Sequence, residues 1–381
     1  MSDTSCSWEL RLSAPLLYPV IVDHFYAKFG KEEAITCDAL IAHNGLGDNM
    51  GNNTSGEATS CPTGVDIVWC SLLERKWYLA EIDFSKKDQE WVNNLFSKGY
   101  EGYGTSRAEG PGMIRMPYKK FNICCLPGGV VRIYFSGGIS RTICMETVYQ
   151  GEETHDMDDI IIHGLKFNRS NSSRYWDDVS DFYDFNLYEG KYRKELDELK
   201  KEESSFYEFL KNYRERKGVI PFGLWNDYYQ RYDYKVQVVF ENEKESVQQE
   251  EKIRFTNGES YSRKPHINPN NIILNPTPIR EMSLYWTVQD RYYFCNLFFN
   301  EEETFSLFKK AFEENKGDAG TLSINVSKYN NFIEIFLNIG KASYKFEKVE
   351  INISTAIGLH GSKDYIYSNC NYSHKNKFIG F

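Results

Sequence analysis

The sequence predicts an α+β protein with two similar antiparallel β-sheet halves, each carrying a packed helix, joined by a long amphipathic helix. Two observations predict this fold. A hairpin followed by a helix occurs twice, around Trp69 and around Trp286. Between these copies, apolar residues recur at steps of three and four from 188 to 216, which is typical of a helix with one buried face. A chain of 381 residues is long enough for two hydrophobic cores.

The first copy of the pattern runs from Gly64 to Phe96. Residues 65–70 are apolar enough for a buried strand, and the alternation from 76 to 84 predicts a returning strand, so the pair is a hairpin. Ser85 is a favourable helix N-cap, and the apolar residues after it lie one turn apart, which predicts a helix at 86–96. The later elements of this copy are a hairpin at 122–135 and a strand at 142–149.

The second copy runs from Met282 to Phe312 and predicts a helix at 301–312. Trp286 takes the place of Trp69, and Phe299-Asn300 takes the place of Phe84-Ser85. We therefore expect an internal duplication with both tryptophans in the core; the alternative is a coincidence among aromatic-rich hairpins. The later elements of this copy are a hairpin at 323–337 and a strand at 343–353.

These patterns divide the chain into four segments. Gly218 and Pro221 end the amphipathic stripe and so separate it from the second half. The segments are an N-terminal β-rich domain at 1–151, an acidic segment and joining helix at 152–220, a C-terminal β-rich domain at 221–353 and a tail at 354–381.

Composition and charge exclude several classes of protein. The formal net charge is −9, so the chain lacks the basic field that a sequence-independent nucleic-acid binder needs. Its nine cysteines are irregularly spaced without a CxxC pair, which favours a reducing compartment and gives no support for zinc. No apolar run of 18 residues occurs, so we predict no membrane span and a cytoplasmic location.

The motifs of catalysis and cofactor binding are largely missing. The Gly45-Leu46-Gly47 loop lacks the residues of a Walker or dinucleotide loop, and we interpret it as a plain turn-rich loop. No GxSxG elbow or HExxH helix occurs. We therefore predict no catalytic residues, no cofactor and no metal. The one group chemically suited to a divalent ion, which we interpret as a solvated acidic loop, is His155, Asp156, Asp158, Asp159 and His163.

Aromatic residues cluster at the start of the second half. The spacing of Trp225, Tyr228, Tyr229 and Tyr232 is that of a helix burying one face, so core packing is the favoured interpretation. The alternative is an exposed platform that stacks on carbohydrate.

Strand and turn patterns in both halves resemble a bacterial family known as domain of unknown function 2931. The resemblance implies that many members are lipoproteins, and that some are immunity proteins encoded near type VI secretion effectors. Cys6 follows only five residues without an apolar stretch, so lipidation is not carried over. A periplasmic lipoprotein is the alternative if a native signal peptide precedes the chain. The segments that carry the resemblance are Ser13–Phe29, Asn44–Gly47, Val65–Tyr78, Met116–Phe135, Tyr228–Asn242, Asn257-Gly258-Glu259 and the Trp286 hairpin.

The sequence therefore predicts a non-catalytic binding protein, most concretely an immunity protein that neutralises a secreted toxin with a basic face. Nine carboxylates against three basic residues between 152 and 184 create a negative field that would steer such a partner. The alternatives are a solvated linker for this stretch, and for the protein a hydrolase with its site between the halves or a carbohydrate-binding accessory protein. The predicted partner-binding residues are Asp156, Asp158, Asp159, Asp177, Asp178, Trp225 and Tyr228.

Overall fold

The structure is a computed structural model. The residues that it describes are 6–15, 18, 20–30, 33–37, 40–42, 45–47, 53–71, 74, 76–106, 110–137, 141–154, 161–162, 165–166, 220, 222–357, 364–370, 378 and 380.

The N-terminal half is built from strands and one helix, α1 (Lys86–Lys98). Its strands are β1 (Cys6–Ser13), β2 (Val20–Phe29), β3 (Glu33–Cys37), β4 (Leu40–Ala42), β5 (Asn53–Ala58), β6 (Pro62–Ser71), β7 (Lys76–Asp83), β8 (Tyr100–Ser106), β9 (Gly110–Met116), β10 (Lys120–Leu126), β11 (Val130–Ser136), β12 (Arg141–Cys144), β13 (Tyr149–Gln150) and β14 (Glu152–Thr154).

A two-stranded ribbon, β15 (Ile161–Ile162) with β16 (Leu165–Lys166), follows the N-terminal half. The C-terminal half begins with α2 (Leu224–Tyr229) and contains α3 (Glu301–Glu314). Its strands are β17 (Tyr234–Phe240), β18 (Ser246–Phe255), β19 (Ser260–Arg263), β20 (Ile279–Val288), β21 (Arg291–Phe298), β22 (Gly320–Val326), β23 (Ile333–Ile339), β24 (Ala342–Lys345), β25 (Glu350–Ile357) and β26 (Asp364–Ser368).

The two predicted tryptophan hairpins and the helices after them are confirmed. They are β6–β7 followed by α1, and β20–β21 followed by α3. Each tryptophan is fully buried and stacks on a tyrosine of the returning strand, Trp69 on Tyr78 at 5.4 Å and Trp286 on Tyr293 at 5.2 Å between ring centroids. Both are therefore core residues, as predicted.

The strand order is also the same in the two halves. One sheet runs β14-β7-β6-β2-β3, and its counterpart runs β25-β21-β20-β18-β19. Each half also has a second group of three strands. In the first half β1 pairs in parallel with β10, and β11 follows as the antiparallel neighbour of β10; in the second half β17 pairs in parallel with β22, and β23 follows in the same way. The correspondence thus extends from the hairpins to the whole topology of each half.

The predicted α+β class is nevertheless wrong, because the described chain is mostly β. Its described helices are three, and the longest has 14 residues. The halves also do not form separate sheets, since β12 pairs with β19 and so joins strands of both halves in one twelve-stranded sheet. Pairing these two strands satisfies backbone groups that would otherwise be left at exposed edges. The predicted joining helix at 188–216 lies outside the described residues.

Helix α1 is fixed by a capping box at its N-terminus. The Ser85 side chain accepts from the Asp88 N–H at 3.2 Å, and Asp88 accepts from the Ser85 N–H at 3.3 Å. Asp88 also accepts from the Thr147 hydroxyl at 2.5 Å, which ties the helix to the end of the N-terminal half. Burial raises the pKa of Asp88, but hydrogen bonds from Thr147, Ser85 and Tyr149 outweigh it and hold that pKa below its usual value.

The hydrophobic residues form two cores that meet at β10. Phe121, Ile123 and Cys125 on one face of this strand belong to the N-terminal core. Cys124 and Leu126 on its other face belong to the C-terminal core. Burial on both faces explains why residues 123–126 of this strand are a continuous apolar run and do not alternate with polar residues. In the part of the chain described here, no helix is long and apolar enough to cross a membrane.

Candidate binding groove between the halves

The halves meet where the Asn257-Gly258-Glu259 turn contacts the loop at 45–47. Gly258 has a φ of +86°, and a Cβ there would lie 2.1 Å from the carbonyl oxygen of Leu46, so only glycine fits. Leu46 itself is fully buried. The loop at 45–47 therefore serves as a packing contact between the halves, which agrees with its interpretation as a turn-rich loop.

Glu259 is the centre of this contact and is almost completely buried. Both of its oxygens accept from Arg231 at 3.0 Å. One oxygen also accepts from the Cys144 N–H at 3.0 Å, and the other from the Asn257 side chain at 3.0 Å. A single carboxylate thus holds together the end of β12, the turn and the segment before β17.

Two tyrosines extend this contact. The Tyr134 hydroxyl donates to the Asn257 carbonyl oxygen at 2.7 Å and lies 2.7 Å from the Tyr229 hydroxyl. The Arg132 guanidinium lies 3.9 Å from the centre of the Tyr229 ring, a cation–π contact. Because these groups are hydrogen bonded among themselves, we interpret the cluster as the rigid joint between the halves.

A groove of about 360 Å³ opens beside the β12–β19 pair. Its walls come from both halves: the end of α1, the strands around it and the segment at 270–271. This volume lies in the range of small-molecule sites, about 300–1,000 Å³. The residues that we name the groove residues are Trp91, Tyr100, Tyr118, Arg141, Asn270 and Asn271.

Three of the groove residues, Arg141, Asn271 and Tyr100, are held by side-chain hydrogen bonds. Arg141 donates to the Asn271 side chain at 3.1 Å, and Asn271 donates to the Ser262 carbonyl oxygen at 2.6 Å. The Tyr100 hydroxyl donates to the Gly137 carbonyl oxygen at 2.5 Å. A Cβ at Gly137 would lie 2.0 Å from the Tyr100 ring, so glycine is required for this close approach. The walls are therefore already in place before any ligand arrives.

The groove has a fixed positive charge and neutral phenols. The positive charge comes from the guanidinium of Arg141, which lines the groove. Burial raises the pKa of Tyr100 to about 12, and burial also raises the pKa of Tyr118 despite the opposing effect of Arg141. Tyrosine, tryptophan and arginine are the residue types that contribute most of the binding energy in protein interfaces. The groove is chemically suited to a polar, carbonyl-rich or anionic group held against aromatic rings.

Nucleophilic catalysis has little support in the described residues. The groove lining contains one carboxylate, Glu101, and no serine, threonine, cysteine or histidine among these residues. Burial raises the pKa of Cys124 to about 11 and those of Cys125 and Cys144 well above their usual value. A thiol with a raised pKa is a poor nucleophile because little thiolate is present.

The predicted aromatic anchors lie in the C-terminal core. Trp225 is 7% exposed and packs edge-on against Tyr18 at 5.2 Å, and Tyr228 is fully buried. The Tyr228 hydroxyl donates to Glu301 at 2.9 Å and accepts from the Gly380 N–H at 2.9 Å. These contacts favour the core-packing interpretation, while their role in partner binding stays a prediction.

The acidic site residues lie outside the described residues, and so does the group from His155 to His163. They are Asp156, Asp158, Asp159, Asp177 and Asp178. None of the groove residues was predicted to be a site residue, because they come from segments up to 180 positions apart. The only local signal was at Trp91, which belongs to the apolar stripe of α1.

Fold and groove define a class: a mostly-β protein of two topologically equivalent halves with a preformed groove at their joint. The chain belongs to the family described as protein of unknown function (DUF2931), whose model matches residues 2–223. The match covers the N-terminal half and the acidic segment, and the C-terminal half lies beyond it. No curated protein and no solved structure matched the chain.

Proposed function

We propose that this protein is a non-catalytic binding protein, an immunity protein that binds and neutralises a secreted bacterial toxin by receiving part of it in the groove. The observation that carries this proposal is the composition of the groove, an arginine beside aromatic rings, with Arg141 and Tyr100 each held by a hydrogen bond. Preformed walls favour binding because little side-chain freedom is lost when the partner arrives.

Charge supports a two-part contact with the toxin. In this proposal the acidic stretch around Asp156, Asp158 and Asp159 attracts a basic face and raises the association rate. Arg141 and the aromatic groove residues then hold a polar or acidic side chain of the toxin, which slows dissociation. The protein acts in the cytoplasm in this proposal; a periplasmic lipoprotein is the alternative, and cell fractionation distinguishes the two.

The test is growth rescue by co-expression with a candidate toxin that stops growth when it is expressed alone. Wild-type protein should restore growth, and Arg141→Glu should lose most of that rescue because it reverses the charge of the groove. The control is Arg254→Glu. Arg254 is an exposed strand residue that forms an ion pair with Glu281 at 2.6 Å, and it does not line the groove. If Arg141→Glu rescues growth as well as wild type at equal expression and melting temperature, the groove is not the binding site.

Carbohydrate binding is a second candidate, and the groove favours it over the aromatic cluster at 225–234. Trp91 offers a face for stacking, and the amides of Asn94 and Asn270 are exposed beside it. Titration with oligosaccharides followed by tryptophan fluorescence tests this candidate. A saturable change that Trp91→Phe weakens, without any rescue from the toxin, would favour the carbohydrate-binding accessory protein.

A further inference from the structure

The two halves differ at one edge of their equivalent sheets. In the N-terminal half, β1 lies between β10 and the antiparallel strand β5. In the C-terminal half, β17 takes the position of β1: it pairs in parallel with β22, and Tyr234 packs on Phe308 of α3 at 4.9 Å as Trp8 packs on Phe96 of α1 at 4.8 Å. Within the described residues, no strand takes the place of β5, and β17 is an edge strand of its sheet among them.

The backbone shows which groups this edge presents. Gly320 donates to the Asp233 carbonyl oxygen at 2.7 Å, and Glu241 donates to the Val326 carbonyl oxygen at 3.0 Å. The odd-numbered residues of β17 therefore direct their backbone groups toward β22. The N–H and C=O groups of Val236, Val238 and Phe240 point the other way, toward this edge. An apolar strand with a row of free backbone groups is a template for pairing with another strand.

The sequence of β17 is complementary to itself. When two copies pair antiparallel with Val238 opposite Val238, Lys235 comes to lie opposite Glu241 of the second copy, and the pair occurs twice by symmetry. In this register the outward-pointing N–H and C=O groups of Val238 in one copy face the same groups of Val238 in the other copy. The two Val238 residues therefore exchange two backbone hydrogen bonds. Opposite charges facing each other across strands are stabilising.

Both charged residues are available for this contact. The side chains of Lys235 and Glu241 are exposed. Glu241 uses one carboxylate oxygen to accept from the Lys328 N–H at 2.8 Å, and its other oxygen has no partner among the described residues. We propose that β17 is a homodimer interface, with a second copy of the chain in the position that β5 occupies in the N-terminal half. This inference is independent of the proposed function.

The test is sedimentation velocity of the full chain over a wide range of concentration. Wild type should show a monomer–dimer equilibrium. Lys235→Glu and Glu241→Lys should each raise the dissociation constant about tenfold or more, because two attractive pairs become repulsive. The double variant that exchanges the two charges should restore dimerisation, which a variant that merely misfolds would not do.

The control is Lys345→Glu in β24, the strand at the other edge of the same four-stranded sheet. This variant should dimerise like wild type. A wild-type chain that stays monomeric at every concentration would overturn the inference. It would also be overturned if the double variant failed to dimerise, or if Lys345→Glu alone broke the dimer.

Discussion

Replacement of Glu259 by glutamine tests whether the buried carboxylate holds the halves together. Each oxygen of Glu259 accepts two hydrogen bonds at 3.0 Å, one from Arg231 and one from a neighbouring N–H group. Glutamine has the same shape but offers one oxygen and one NH₂ group. Whichever way the amide turns, two donors face the NH₂ group, and the charge of Arg231 loses its partner.

The magnitude follows from the burial of the pair. Removing one partner of a buried ion pair costs about 3–5 kcal/mol, because the other charge is left uncompensated. The Arg231 side chain is 28% exposed, and the Glu259 side chain is 1% exposed. Because water can still solvate the Arg231 charge, part of this cost is offset. We therefore expect a loss near the lower end, about 3 kcal/mol. For domains of this size, that loss lowers the melting temperature by about 6–12 °C.

The assay is differential scanning calorimetry of wild type and Glu259→Gln. The matched control is Glu281→Gln, which removes the partner of Arg254, a side chain that is 61% exposed. Exposed pairs contribute about 0–1 kcal/mol, so the control should change the melting temperature little. If Glu259→Gln melts at the same temperature as Glu281→Gln, the carboxylate is not what joins the halves.

Three further predictions concern the core, the α1 cap and the acidic stretch. Trp69→Ala and Trp286→Ala should each cost about 3–5 kcal/mol in urea unfolding, and an unchanged midpoint would contradict their burial. The lowered pKa of Asp88 stabilises the fold above the unfolded-state value of about 3.9, and this contribution is lost as pH falls through the folded pKa. Asp88→Asn should therefore melt at a lower temperature than wild type at neutral pH, and this difference in melting temperature should shrink as the pH falls. A difference that does not change with pH would refute the reasoning. Charge reversal to lysine in the acidic stretch should slow association with the toxin and weaken its salt dependence in stopped-flow measurements, and an unchanged rate would exclude this face. That variant changes Asp156, Asp158 and Asp159.

Local patterns were sufficient to predict the two hairpins and their helices. Alternation, the N-cap residues Ser85 and Asn300 and the stripe after each of them act over a few positions, and the elements formed where expected. The α+β class was wrong because the described chain is mostly β, and the prediction of a separate sheet in each half was wrong because it depends on how strand edges pair. Strands β12 and β19 have four residues each and lie more than a hundred positions apart, so no periodicity shows that they pair.

The groove was beyond prediction for the same reason. Arg141 and Asn271 are joined by a hydrogen bond across 130 positions, and neither belongs to a motif. The aromatic cluster at 225–234 could be interpreted from its helical spacing alone, and burial of Trp225 and Tyr228 agrees with that interpretation. Sequence patterns thus indicated which side chains pack locally, while the site is made by contacts between the halves.

The most direct test of the groove as a toxin-binding site is isothermal titration calorimetry of this protein with a purified candidate toxin that it protects against in the growth assay. Wild type should bind with a defined stoichiometry. Arg141→Ala should weaken that affinity about thirtyfold or more, as truncation of a central arginine in an interface costs about 2 kcal/mol or more. Arg254→Ala, which lies outside the groove, should bind like wild type. Equal affinities for wild type and Arg141→Ala, with both proteins folded, would contradict the proposal that the groove receives the toxin.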